Sequence, residues 1–144
     1  MNVVNYIVGK EFAPAVIKEI ESAQHKIDIV VFDWRWYADL PNNAVSLFNQ
    51  AIQRAQNRGV YVRAIVNSAN IKERLVALGI DARTIHSKNL VHAKIILIDD
   101  TTVIMGSHNY TSQAFNVNME ASVIIKQQEK PERLQEFFDT LWVL

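Results

Sequence analysis

Residues 91–125 read VHAKIILIDDTTVIMGSHNYTSQAFNVNMEASVII. Two apolar runs, Val91–Ile98 and Thr102–Met105, are joined tightly at Asp99-Asp100, which predicts two strands and a tight turn. A third strand is expected over Glu120–Ile125. His92 and Lys94 stand two apart on the first of these strands, so both side chains leave one face. Asp99 is an odd number of positions from both, and a regular strand points it to the opposite face. The second strand runs out at Gly106-Ser107-His108-Asn109, where small and polar residues supply hydrogen bonds and Gly106 permits close backbone approach.

Outward from this stretch the chain alternates helices and strands. Phe12, Val16, Ile17, Ile20 and Ala23 form one helical stripe within Glu11–Gln24. KIDIVVFD (Lys26–Asp33) is an almost unbroken apolar run, as in a strand covered on both faces. After the Trp34-Arg35-Trp36-Tyr37 loop, Pro41-Asn42-Asn43 offers a turn and an N-cap. Ala44, Leu47, Phe48, Ala51, Ile52 and Ala55 then mark a helix that Gly59 stops. Val60–Val66 reads as a second buried strand, Asn70–Leu78 as a short helix closed by Gly79, and Ala82–Ile85 as a brief strand. A last helix starts near Pro131 and buries Leu134, Phe137, Phe138, Leu141 and Trp142. This order predicts an α/β fold, a mixed β-sheet sandwiched between helices in an α/β/α arrangement. No repeat, low-complexity tract or Pro/Gly-rich linker divides it, so residues 1–144 are expected to form a single domain.

The 144 residues carry 15 Lys+Arg against 15 Asp+Glu, a net charge of zero, so a globally basic nucleic-acid footprint is excluded and any polyanion site must be local. With no cysteine there is no disulfide framework and no thiolate nucleophile, and a zinc site would need His and carboxylates. Neither a secretory leader nor an apolar run near the roughly 20 residues that span a bilayer is seen. A cytoplasmic location, no stable membrane association, no cofactor and no metal are the expectations.

An imidazole beside a fixed ammonium and an amide is equipment suited to a phosphate: Lys94 supplies charge, Asn109 a neutral donor, and His92 a nucleophile or proton carrier. The pattern His92-x-Lys94-x4-Asp99-x6-Gly106-Ser107-x-Asn109 resembles the HKD signature of the phospholipase D superfamily, and the element order and Glu120 are similar to its small single-motif bacterial nucleases. The resemblance implies a phospholipase D-like fold and a metal-independent phosphodiesterase. It implies that His92 attacks phosphorus to form a phosphohistidine that water hydrolyses, while Lys94 and Asn109 hold the non-bridging oxygens. Ser107 would hydrogen-bond within the site, Glu120 would orient the histidine, and Asp99 would be more structural than chemical. The chemistry also needs a second histidine for the leaving oxygen. His108 fills a variable position, and His25 and His86 sit in no second His-x-Lys context. The resemblance therefore implies a C2 homodimer with one shared active site.

DNA or RNA, cleaved without sequence readout, is the leading substrate. A cardiolipin-type phospholipid is the alternative, and a non-catalytic nucleic-acid-binding module of the same fold is the reading from another class. Trp34 and Arg35 are candidates to stack on bases and touch phosphate, with core filling or a dimer contact as the other reading of these aromatics. Lys88, with His86 and Arg83, is a candidate basic rim, or else part of a solvated loop. Lys72-Glu73-Arg74 reads as a solvated helix face.

Overall fold

The computed structural model describes residues 2–144. In chain order the elements are β1 (Val3–Val8), a 3-10 turn (Gly9–Glu11), α1 (Phe12–Ser22), β2 (Lys26–Val30), α2 (Ala44–Asn57), β3 (Tyr61–Val66), α3 (Ala69–Ala77), β4 (Asp81–Thr84), β5 (Ile95–Ile98), β6 (Thr102–Gly106), α4 (Ser112–Asn116), β7 (Ala121–Lys126) and α5 (Glu132–Trp142). The strands form one seven-stranded sheet in the order β1-β7-β6-β5-β2-β3-β4. Pairing is parallel for β2–β3–β4 and antiparallel elsewhere, so the sheet is mixed as expected.

Alternation along β2 divides the core. Ile27, Ile29 and Val31 face the layer made by α1, α2, α3 and α4, where Val16, Ile20, Phe48, Ile52, Leu75 and Phe115 are buried against them. Asp28 and Val30 face α5, whose Phe138 and Trp142 close a smaller cluster with Ile65, Ile95, Leu97 and Val103. Asp28 is only 1% exposed, and burial of its charge is offset by partners. Arg63 grips both carboxylate oxygens at 2.8 Å, and Gln135 Nε2 donates to Oδ2 at 2.9 Å. Arg63 also pairs with Asp139 at 3.1 Å and lies over the Phe138 ring, so this ion pair anchors α5 to the sheet.

Local signals explain the boundaries. Asn43 is the N-cap of α2, its side chain accepting from the Val45 N–H at 2.9 Å, and Gly59 takes the positive φ (98°) that follows the helix. β1 was not anticipated; it is an edge strand on β7 with only Ile7 buried, so no two-sided apolar run marks it. α4 is a single turn, capped by Thr111 through Ala114 N, and too short to show a period. The strand expected from Val91 is paired only from Ile95, which leaves His92 and Lys94 on an extended segment ahead of it. Phe137, expected in the core, is 41% exposed on the outer side of α5.

Candidate active site

The loops that carry chemistry converge at one end of the sheet: the carboxyl ends of β2, β3 and β6 and the amino ends of β5 and β7. Antiparallel pairing of Val30 with Ile95, and of Ile95 with Met105, brings the residues after β2, before β5 and after β6 together. Gly106 pairs with Ser122 at such close range that a Cβ built there would meet Ser122 Cα at 2.4 Å and its Oγ at 2.2 Å. Only glycine lets β6 lie this close to β7.

His92 is exposed on the rim. Its ring tilts against Phe32 with centroids 4.7 Å apart, and Lys94 Nζ lies 3.0 Å from His92 Nδ1 and 5.7 Å from the Phe32 ring centroid. Lys94 is half-buried, and burial lowers its pKa from the ordinary lysine value, with the charge of Glu120 partly opposing this. Asn109 Oδ1 accepts from the backbone N–H of Asp33 at 3.1 Å, which fixes the amide plane and leaves Nδ2 as the donor. Phe32 and Asp33 thus join the three: Phe32 touches His92 and Lys94, and its neighbour holds Asn109. Neither residue was singled out from the sequence, nor was Asn67. Its Nδ2 donates to Phe32 O at 2.9 Å and Val91 O at 3.2 Å, tying the two segments that flank His92. A polar residue immediately after an apolar strand is the one signal that marks Asn67.

Ser107 Oγ donates to Glu120 Oε1 at 2.6 Å and accepts from Ala121 N at 3.0 Å, while Asn118 Nδ2 donates to Oε2 at 3.1 Å. Within the chain Glu120 therefore engages Ser107 and Asn118, and the direct contact with His92 expected of it is not made. Its charge reaches Lys94 instead.

Asp99 lies at the far end of β5, in a left-handed conformation (φ 52°), and accepts from the N–H groups of Gln24, His25 and Lys26 at 2.7–2.9 Å. Burial alone would raise its pKa, but these donors outweigh it and the carboxyl sits below the usual range. It joins β5 to the start of β2, and it stands apart from the cluster. His108 is 1% exposed, stacked on Phe12 at 4.3 Å, with Nε2 2.9 Å from Gly9 O and Nδ1 2.7 Å from Ser122 Oγ. Because a carbonyl only accepts, Nε2 carries the proton. Burial lowers the His108 pKa, and the Gly9 carbonyl and Glu120 partly restore it.

Trp34 must be corrected as a stacking residue. It is 3% exposed, bonded through Nε1 to Asn49 Oδ1 at 2.7 Å and edge-on to Phe48 and Tyr110, and so presents no face to a ligand. Arg35 is exposed but held on Asp33 at 2.8 Å. Lys88 is exposed on the segment leading to His92, whereas Arg83 is taken up by Trp142, donating to its carbonyl at 2.8 Å. Among the described residues no group of three or more His, Cys, Asp or Glu is arranged to hold a metal ion, and no helix is long and apolar enough to cross a membrane.

The sequence matches the family described as "Cardiolipin synthase, PLD-like domain" over residues 16–142, a span that includes every residue of this cluster. The chain belongs to the PLD-like family. It is 30% identical over 130 residues to a phospholipase D of Rickettsia prowazekii, an alignment covering 85% of this chain and 59% of the relative. A mitochondrial cardiolipin hydrolase of Canis lupus familiaris is 31% identical over 100 residues, 65% of this chain and 39% of the relative. The PLD-like chain thus spans about half the length of the curated relatives it matches. Its fold is that of the phospholipase D family member Nuc of Salmonella typhimurium: the TM-score is 0.80 at 24% identity, covering 99% of this chain and 95% of Nuc.

Proposed function

We propose that this PLD-like chain is a metal-independent phosphodiesterase that cleaves DNA or RNA through a phosphohistidine at His92, with one active site shared by two copies. The observation that carries the proposal is the Lys94 ammonium set 3.0 Å from the His92 ring, beside an Asn109 amide locked by Asp33 N–H. A bound phosphodiester, being anionic, takes the ammonium from the neutral imidazole. Lys94 and Asn109 then hold the two non-bridging oxygens, and a His92 ring nitrogen attacks phosphorus. The P–N bond forms as the P–O bond to the leaving oxygen breaks. Water next attacks phosphorus, the P–N bond breaks, and the imidazole is regenerated.

The leaving oxygen needs a proton, and no hydrogen bond or ring contact joins His92 to another histidine of the chain. His108 is sealed between Gly9 and Ser122, His25 lies beside Asp99 at the far end of β5, and His86 is on the exposed segment after β4. A second copy of His92 fits the need. The surface around the site supports such a pairing: Tyr6, Val123 and Met105 lie in register across β1, β7 and β6 on the α5 face. Tyr6 is 77% exposed and Met119, next to Glu120, is fully so. The proteins named for lipid substrates are matched over only 59% and 39% of their length, so their substrate does not pass to this chain with the alignment.

The test is turnover in EDTA of single-stranded DNA, duplex DNA, RNA and cardiolipin by the wild type and His92→Ala. Nucleic-acid cleavage that persists in EDTA and is abolished by His92→Ala is expected, with the variant still dimeric in sedimentation. Turnover of cardiolipin alone would overturn the substrate, and full turnover by a monomer would overturn the shared site. Binding of nucleic acid with no turnover would leave only a non-catalytic module.

A further inference from the structure

A cavity of about 370 Å³ opens directly beside the catalytic cluster, in the range of pockets that hold small ligands. Asp33 is the shared wall: its N–H holds Asn109, and the residue also lines the cavity together with Arg35, Trp36, Ser68, Asn70 and Arg74. The chemistry of this lining is distinct from that of the catalytic cluster. Trp34 also lines the cavity but is 3% exposed, whereas Trp36 is half-buried beside the core and is the more accessible of the two. Arg74, exposed on α3, places its guanidinium carbon 5.9 Å from the centre of the Trp36 ring. That separation is at the outer limit, roughly 6 Å, of an attractive cation–aromatic contact, so the guanidinium is loosely held. Ser68 makes no side-chain capping bond on α3, which leaves its hydroxyl available.

Given the nucleic-acid reading above, on which this rests, we infer that the cavity receives the nucleobase adjoining the scissile phosphate, stacked on Trp36 and covered by Arg74. Stacking suits a nuclease without sequence readout, because every base has a π-face and an aromatic wall discriminates little between them. Ser68 and Asn70 meet the base edge with groups that both donate and accept. The same wall suits an acyl chain poorly: around the Trp36 ring it sets Asp33, Arg35, Ser68, Asn70 and Arg74, polar groups that a lipid tail leaves unpaired.

The test compares the wild type with Arg74→Ala, Trp36→Ala and Trp36→Phe on three substrates: oligothymidylate, the same oligomer with its bases removed, and bis(p-nitrophenyl) phosphate. Arg74 is exposed, so its variant reports even if Trp36→Ala fails to fold, and Trp36→Phe keeps a stacking surface. Arg74→Ala and Trp36→Ala are expected to raise KM for oligothymidylate by roughly 5- to 150-fold, the range of one lost base stack. Trp36→Phe should lose less, and kcat on the abasic oligomer should be kept. On the abasic oligomer all four proteins should have the same KM. Equal KM values on oligothymidylate would overturn the base subsite while leaving the nuclease reading intact. An equal loss on the abasic oligomer would also overturn it, because the cavity would then be reading phosphate. A wild type that hydrolyses bis(p-nitrophenyl) phosphate but no nucleic acid would overturn both.

Discussion

Asp99 separates architecture from chemistry within the signature, and replacing it gives a quantitative test. Its carboxylate accepts from three consecutive backbone N–H groups at the entry to β2. Two of these bonds are at the surface, so each contributes about 0.5–1 kcal/mol rather than the larger value of a buried charged bond. Asp99→Ala removes all three, about 2–3 kcal/mol, and adds about 1 kcal/mol for holding alanine in the left-handed region. The expected loss is about 3–4 kcal/mol. Asn tolerates the left-handed backbone, and its carbonyl can retain the His25 and Lys26 donors, so Asp99→Asn should cost only about 1 kcal/mol. The pH dependence has a definite sign. The folded-state pKa is depressed, so the contribution is present above the ordinary value of about 3.9 and is lost as pH falls through the lower folded value. Guanidinium denaturation should show the wild type's advantage over Asp99→Asn at pH 7 and its disappearance in strong acid. Both variants should retain kcat wherever they are folded. Abolished turnover in an Asp99→Asn protein of unchanged stability would refute the structural role.

Gly106→Ala should destabilise by about 1–3 kcal/mol, because the new methyl meets the Ser122 backbone. The resulting shift should also lower activity through Ser107, and an unchanged Tm would contradict the close approach. Because burial lowers the Lys94 pKa, KM for a phosphodiester should rise on the alkaline side below the ordinary lysine value of about 10.4. Lys94→Arg should abolish that limb, and a flat wild-type profile to pH 10 would show that no such ammonium binds substrate. The lowered His108 pKa makes its contribution to stability complete above about pH 6.5 and diminishing as pH falls below it. His108→Gln should flatten the slope of Tm between pH 7 and 5, and an unchanged slope would assign the acid sensitivity to another group.

The sequence is legible here where burial is two-sided or spacing is rigid. Ile27, Ile29 and Val30 of β2 and the whole of Ile95–Ile98 are apolar because helices cover both faces, and that reading gives the centre of the sheet and the layer order. The edge strand β1 escapes because its packing is one-sided, and the single turn of α4 because it has no period. His92, Lys94 and Asn109 are recognisable from spacing, whereas what holds them is not. Asn109 is oriented by a backbone N–H 76 positions away, and His92 rests on a phenylalanine beyond β2. Trp34 and Trp36 look alike in sequence. The first is drawn into the core by its bond to Asn49, on a helix whose register the local sequence does not reveal.

The central claim is that His92 is the nucleophile. Its most direct test is mass spectrometry of protein quenched in alkali during turnover of an oligonucleotide in EDTA, where a phosphoramidate survives. The account predicts a nucleotidyl adduct mapped to His92, absent from His92→Ala and lost once substrate is consumed. Full turnover with no adduct on His92, or an adduct on another residue, would contradict it.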